Sequence, residues 1–184
     1  MIGYEKRYPN LFQAATWPWG PTHVKFNLLS QLPPAHLIAN INIVPRIDDS
    51  WLILCLKDGD WDLPGGTLEE GEHYLDTLRR ELLEEAGAEY LSFSIFGAWQ
   101  CRSQAEKPYR PHLPFPEYYR IVGVGEVTMV APPLNPASGE QVVAAELVSL
   151  ETAVKRFVAT GRRDLAELYQ LAADIFGEND LKGG

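Results

Sequence analysis

Three glutamates, Glu81, Glu84 and Glu85, crowd one short stretch of good helix formers, Leu78-Arg79-Arg80-Glu81-Leu82-Leu83-Glu84-Glu85-Ala86. Each residue of an α-helix advances about 100°, so with Glu81 at 0° Glu84 falls at about 300° and Glu85 at about 40°. The three carboxylates therefore share one face. Leu75, Leu78, Leu82 and Ala86 fall at about 60° to 140° and make an apolar stripe beside the acidic face, not opposite it. Carboxylates gathered where a helix packs repel one another, raise one another's pKa and weaken the helix. A hard divalent cation resolves that conflict. Mg²⁺ accepts oxygen ligands, keeps several waters and takes the rest from carboxylates and substrate phosphates. It can also lower the pKa of an attacking water and offset charge on a departing phosphate.

The residues around this face have matching chemistry. Gly65-Gly66 lets the backbone approach a ligand with no Cβ in the way, and its first carbonyl is placed to reach a metal. Pro64 fixes the chain's approach to that turn. Arg80 stands beside Glu81 and about 80° from Glu72 in projection, a position from which charge-assisted hydrogen bonds can hold carboxylates in place.

These groups need elements to carry them. His36 to Val44 reads as a strand, Arg46 to Ser50 as a turn and Trp51 to Leu56 as a second strand. A helix from about His73 to Ala86 follows the glycine pair and stops at Gly87, a residue suited to a left-handed cap. Further strands are expected near Leu91 to Gln100, Tyr118 to Val130 and Ala144 to Ser149, and closing helices over Glu151 to Ala159 and Asp164 to Phe176. Strands interrupted by one helix and followed by others predict a mixed sheet between helical layers, one α/β/α domain over residues 36–177. Residues 1–35, punctuated by Trp17-Pro18-Trp19-Gly20-Pro21 and Pro33-Pro34, read as an irregular N-terminal extension with at most a short helix. Residues 178–184 read as a loose tail.

Composition narrows the partners. The 184 residues carry a formal charge of −9, and the basic residues do not cluster, so long DNA or RNA is repelled by most of the surface. Cys55 and Cys101 sit in apolar segments without a CxxC pairing and read as reduced, buried thiols. The N-terminus lacks the apolar core of a secretory signal, and no apolar run approaches the roughly 20 residues that span a bilayer. A cytoplasmic protein acting on a small molecule is the expectation.

Gly66, then Glu72, then Arg80-Glu81-Leu82-Leu83-Glu84-Glu85-Ala86-Gly87-Ala88 resembles the complete box of the Nudix hydrolase superfamily without a gap. Its seven fixed identities would coincide by chance on the order of once in 10⁸ starting positions. Trp61-x-Leu63-Pro64-Gly65-Gly66 also looks like the family's lead-in, and element order extends the likeness from about Ala35 to Leu150. The resemblance implies a Nudix-like α/β/α sandwich with a mixed β-sheet and a catalytic loop-helix-loop. It implies Mg²⁺, replaceable by Mn²⁺, held by Glu81, Glu84, Glu85 and the Gly65 carbonyl. Glu81 is also a candidate general base, and Glu72 and Arg80 would orient the helix carboxylates. Ala88 is smaller than the aliphatic residue usual there, which bears on packing. Many members recruit one more glutamate from a loop before the last strand; Glu140 is the candidate here, with Glu146 behind it. The implied reaction is cleavage of a diphosphate linkage in a nucleoside-diphosphate-containing molecule, with homodimers frequent in the family.

Substrate choice lies outside the box. Gly66, Arg102, Arg110 and Tyr118 are the candidate substrate contacts. The first adjoins the metal loop, and the others lie in or beside the proline- and aromatic-rich stretch from Lys107 to Tyr119, which reads either as a lid or as a packing strap. Arg120 and Lys107 flank the same stretch. Trp51, Trp61 and Trp99 read as core or rim aromatics. Neither the SQPWPxS string of NADH pyrophosphatases nor the distal proline of ADP-ribose enzymes is present, so a nucleoside triphosphate or a modified nucleotide heads the expectation, with nucleoside diphosphate sugars close behind. The competing readings are a regulatory module that binds nucleotide without turnover and an RNA-cap pyrophosphohydrolase. The isomerase branch needs a catalytic cysteine motif that neither Cys55 nor Cys101 provides.

Overall fold

The computed structural model describes residues 3–17, 20–137 and 141–180. Its helices are α1 (Tyr4–Arg7), α2 (Pro9–Phe12), α3 (Tyr74–Glu81), α4 (Leu150–Ala159) and α5 (Arg163–Asp180). Its strands are β1 (Ala15–Trp17), β2 (Thr22–Leu28), β3 (Ile38–Ile47), β4 (Ser50–Leu56), β5 (Trp61–Asp62), β6 (Gly65–Thr67), β7 (Ala88–Tyr90), β8 (Ser94–Ser103), β9 (Glu117–Met129) and β10 (Val142–Val148). The sheet runs β1-β2-β8-β9-β3-β4-β10, with the short β5, β6 and β7 pairing β4, β3 and β9. Among the described residues only the central β3/β9 pair is parallel, and the other pairings are antiparallel.

Strand alternation divides the apolar side chains between two cores. Ile41, Ile43, Leu52 and Leu54 meet Leu78, Leu82 and Ala86 of the box helix on one face. Val44, Trp51 and Ile53 meet Phe157, Leu165, Leu168 and Tyr169 of α4 and α5 on the other. The sheet is thus covered on both sides, and the box helix has one face to itself. Within its stripe Leu78, Leu82 and Ala86 are fully buried, whereas Leu75 lies only partly covered at the margin.

Two expectations about the chain ends are corrected. Residues 4–17 and 22–28 of the expected irregular extension carry regular elements: Thr22–Leu28 alternates inward Val24 and Phe26 with outward His23 and Lys25 and pairs along β8 over seven positions. Proline and glycine around that stretch mark turns between short elements. Tyr8, Leu11 and Phe12 are buried in the α4/α5 core, where Tyr8 Oη donates to Asp174 at 2.5 Å and the Leu11 amide to Glu167 at 2.8 Å. The C-terminal helix likewise reaches Asp180, past the expected start of the tail, and residues 181–184 lie outside the described residues.

This packing predicts that Phe12→Ala, which empties a ring set edge-on to Phe26 at 5.2 Å, destabilises the fold by about 3 kcal/mol in urea unfolding. A change below about 1 kcal/mol, the scale of an ordinary surface substitution, would restore the loose-extension reading.

Candidate active site

The box begins where β6 pairs with β3, placing Gly65 opposite Asn42 and Gly66 opposite Ile41. Gly65 has φ +151°, and a Cβ there would collide with the Ile41 carbonyl and with Asn42, so the glycine is demanded by both conformation and space. α3 follows, entered through His73, whose Nδ1 accepts the Leu75 amide at 3.3 Å. After Glu81 the helix widens into a π-helical turn, Leu82–Ala86, closed by Gly87 at φ 63°. The expected uninterrupted α-helix is corrected here. A π turn steps less than 100° per residue, so Glu84 and Glu85 depart from the ideal projection.

Two box glutamates meet the glycine pair, and Arg80 ties the third, Glu84, to Glu81. Glu85 is buried, at 6% exposure, and its Oε2 accepts the Gly65 amide at 3.0 Å. Glu81 lies against Gly66 so closely that a Cβ on Gly66 would overlap its carboxyl. Arg80 ties the rest together: Nη1 donates to Glu81 Oε1 at 2.8 Å and to Glu84 Oε2 at 3.4 Å, while Nε and Nη2 grip Glu72 at 2.8 and 3.0 Å. Burial pushes the Glu81 carboxyl up; Arg80 opposes this, and Glu84 and Glu72 add to it.

Glu72 also accepts the Glu69 amide at 2.9 Å and the Thr77 hydroxyl at 2.8 Å, a role for Thr77 that the apolar-stripe pattern missed. The Arg80 fork holds the Glu72 carboxyl down at about 2, against 4.5 ordinarily. A depressed carboxylate contributes stability that is present above the ordinary value and lost as pH falls through the folded one. Glu72→Gln is therefore expected to cost about 1–3 kcal/mol at neutral pH, the scale of charge-assisted hydrogen bonds. The gap to the parent should narrow between pH 4.5 and 2 in thermal unfolding. A gap that stays constant across that range would show that the charge contributes nothing.

The donor chemistry suits a hard divalent cation: carboxylate oxygens of Glu81 and Glu85 at the glycine turn, with Glu84 linked to Glu81 through Arg80. Among the described residues no three acidic, histidine or cysteine side chains enclose a metal site by themselves. Arg80 meanwhile supplies the positive charge between Glu81 and Glu84.

The other sequence candidates are distributed more widely. His112 Nε2 lies 2.9 Å from the Leu68 carbonyl, so the Lys107 to Tyr119 stretch touches the box loop, and Arg110 lies half-buried in it over the Tyr109 ring. Arg102 is exposed and pairs with Glu117 at 3.7 Å, in a groove of about 480 Å³ at the β1/β2/β8 edge. Tyr118 is engaged with Thr22 and Cys101, and burial pushes its hydroxyl up. No contact among the described residues draws Arg102 or Tyr118 to the box. Glu146 pairs with Arg156 at 2.6 Å, and Glu140 lies outside the described residues. Both cysteines are free, and burial pushes the Cys101 thiol up to about 12.

A second cleft, of about 460 Å³, adjoins the box through Asn42 and Leu63. Trp17, Trp99, Asp62, Arg120 and Arg162 also line it. The edge groove is slightly larger, but this one lies beside the glycine turn and is the one relevant to chemistry there. Asp62 accepts the Leu63 amide at 2.8 Å and pairs with Arg162 at 3.3 Å; burial pushes its carboxyl up and Arg162 opposes that. Sequence reasoning missed Asp62, Arg162 and Asn42, although Asn40 and Asn42, alternating within an apolar strand, already signalled a polar face on β3.

The fold has counterparts among known proteins. The crystal structure of a pyrophosphohydrolase from Bacillus subtilis, BsRppH, superposes with a TM-score of 0.55 at 17% identity, covering 74% of this chain and 77% of that one. A NUDIX hydrolase from Nitrosomonas europaea gives 0.50 at 21% identity over 65% and 76% of the two chains. At these identities the likeness is one of fold. An RNA pyrophosphohydrolase of Ruthia magnifica subsp. Calyptogena magnifica is 36% identical over 83 residues, 44% of this chain, and the match spans 42% of that protein's length. The NUDIX domain model matches residues 41–170, from β3 into α5, and with the box complete inside that span the chain belongs to the NUDIX hydrolase family.

Proposed function

We propose that this protein is a Mg²⁺-dependent pyrophosphohydrolase that cleaves the diphosphate linkage of a small nucleotide, a modified nucleoside triphosphate or nucleotide sugar. The observation that carries the reading is the placing of Glu85 and Glu81 against the Gly65-Gly66 turn, with Arg80 joining Glu81 to Glu84. Glu84, Glu85, Glu81 and the Gly65 carbonyl would hold the ion, which when bound offsets diphosphate charge and lowers the pKa of an attacking water.

The chain's own residues do the rest. Burial already favours a proton on Glu81, which suits it to accept one from the water. Arg80 fixes the Glu81 and Glu84 carboxylates, so little reorganisation is left for the reaction step. The Glu85 hydrogen bond to the Gly65 amide holds the loop against the helix.

A second reading, removal of pyrophosphate from an RNA 5′ end, is favoured by the RNA pyrophosphohydrolase among the relatives. The −9 charge speaks against long nucleic-acid contact but not against a grip on the terminal nucleotide. The deciding experiment incubates the full chain, with Mg²⁺ or with EDTA, with nucleoside triphosphates, oxidised nucleotides, nucleotide sugars, dinucleoside polyphosphates and 5′-triphosphorylated or capped RNA, and resolves the products. Mg²⁺-dependent turnover of the small nucleotides is the expected result. Preference for RNA would select the second reading, and nucleotide binding without turnover would select a binding module.

A further inference from the structure

After β9 the chain returns to the end of the box helix. The helix stops at Gly87, whose carbonyl accepts the Val130 and Ala131 amides at 2.8 and 3.1 Å, and a Cβ on Gly87 would overlap the Ala131 carbonyl. The Glu84 carbonyl belongs to the same last turn, where helix carbonyls lack amides of their own helix, and the Asn135 amide donates to it at 3.0 Å. The stretch from Val130 to Asn135 is thus laid along the π turn that carries Glu84 and Glu85.

Asn135 makes that contact from a costly backbone. Its φ is 44°, in the left-handed region to which asparagine is better suited than most side chains, and Pro136 restricts it further. Its own side chain holds it there. Nδ2 donates to the Val142 carbonyl at 2.7 Å and Oδ1 accepts the Val142 amide at 3.0 Å. Val142 is the first residue of β10 and pairs with Leu56 of β4, while the neighbouring Gln141 carbonyl accepts the Lys57 amide at 3.1 Å. One residue therefore ties the backbone of Glu84 to the sheet. Left-handed residues that their surroundings hold in place collect at functional sites.

Of the three helix glutamates, Glu84 is the one whose side chain is held least. Glu85 is anchored by the Gly65 amide at 3.0 Å and Glu81 by Arg80 at 2.8 Å. The Glu84 carboxylate meets Arg80 at 3.4 Å, the longest of that guanidinium's contacts with the box glutamates. Its main chain is fixed instead. We propose that Asn135 is a positioning residue for the cation site: by fastening the Glu84 carbonyl to β10 it sets where the Glu84 carboxylate stands relative to Glu81 and Glu85. Asn135 acts through Glu84 and not on the reacting atoms. The assignment rests on the hydrolase reading, which makes Glu84 a ligand.

The test is Mn²⁺ binding to the full chain without substrate, read from the electron paramagnetic resonance of the free ion, so that turnover plays no part. The parent, Asn135→Gly, Glu84→Gln and the double variant are compared, each checked by thermal unfolding. Glycine keeps the amide and accepts the left-handed backbone, so only the two bonds to Val142 are lost. Asn135→Gly should weaken Mn²⁺ binding roughly tenfold, the scale of losing a group that orients a metal ligand. The double variant should bind as Glu84→Gln alone does, because the position of an absent carboxylate no longer matters. A residue that only steadied the fold would lower Tm and give a loss that adds to that of Glu84→Gln. Unchanged Mn²⁺ affinity in a folded Asn135→Gly, or additive losses, would overturn the proposal. If Asn135→Gly does not fold, hydrogen exchange on the unaltered chain decides. Coupling between two sites is reciprocal, so Mg²⁺ should slow exchange of the Asn135 amide in the parent and not in Glu84→Gln. Exchange indifferent to Mg²⁺ would sink the assignment equally. Mn²⁺ binding that depends on Glu84 but not on Asn135 removes this assignment alone, whereas a parent chain whose Mn²⁺ binding ignores Glu84, or is absent, removes the hydrolase reading with it.

Discussion

Glu85→Gln should leave a folded protein whose turnover has dropped on the order of 10²–10⁴-fold, the scale expected when a charge needed in the transition state is lost. What glutamine keeps and what it loses set the two effects apart. The Glu85 oxygen that accepts the Gly65 amide at 3.0 Å has a counterpart in the glutamine carbonyl, so the loop stays attached to the helix. The charge that would hold a cation is removed. Glutamine is also cheaper to bury than a carboxylate, and at 6% exposure that difference favours the folded variant. Glu84→Gln makes the companion case from the more exposed side, where only the 3.4 Å contact with Arg80 weakens. Measured as kcat and Tm together, both variants should lose activity with Tm changed by no more than a few degrees. Turnover within tenfold of the parent in either one would show that the carboxylates are structural.

The reach of sequence reasoning follows the range of the contacts. The box was legible because its parts lie within one turn or one helix. Arg80 reaches Glu72, Glu81 and Glu84 over at most eight positions, and the αL cap at Gly87 follows from residue type and a helix end. The π turn was not legible, because Leu82 to Ala86 are good α-formers and nothing local opposes a regular helix. The cleft beside the glycine turn was less legible still. Trp17, Asp62, Trp99, Arg120 and Arg162 come from five separate stretches of chain, and only the β3/β9 register puts Asn40 beside Arg120. The N-terminal strand was readable in principle: Thr22–Leu28 alternates cleanly, but its neighbouring prolines and tryptophans drew attention to turns.

Gly66→Ala carries the other large expected effect, and it tests the geometry more than the charge. Gly66 is not in the left-handed region, so alanine brings no backbone strain of the kind it would bring at Gly65. What the added methyl meets is the Glu81 carboxyl and its Cγ. A side chain can move where a backbone cannot, so the fold should survive with a loss of about 1–3 kcal/mol, the usual range for overpacking. Glu81 must then swing away from the turn, which also weakens its 2.8 Å bond to Arg80 and through it the hold on Glu84. Misplacing a reacting group by about 1 Å can cost on the order of 10²-fold, so kcat should fall by at least that much. Gly65→Ala should differ in kind: its Cβ faces the Ile41 carbonyl and the strand itself must shift, so unfolding accompanies the loss of activity. A Gly66→Ala protein with undiminished kcat would mean that the position of Glu81 against the turn has no part in the chemistry, and the base would have to be sought among the other carboxylates.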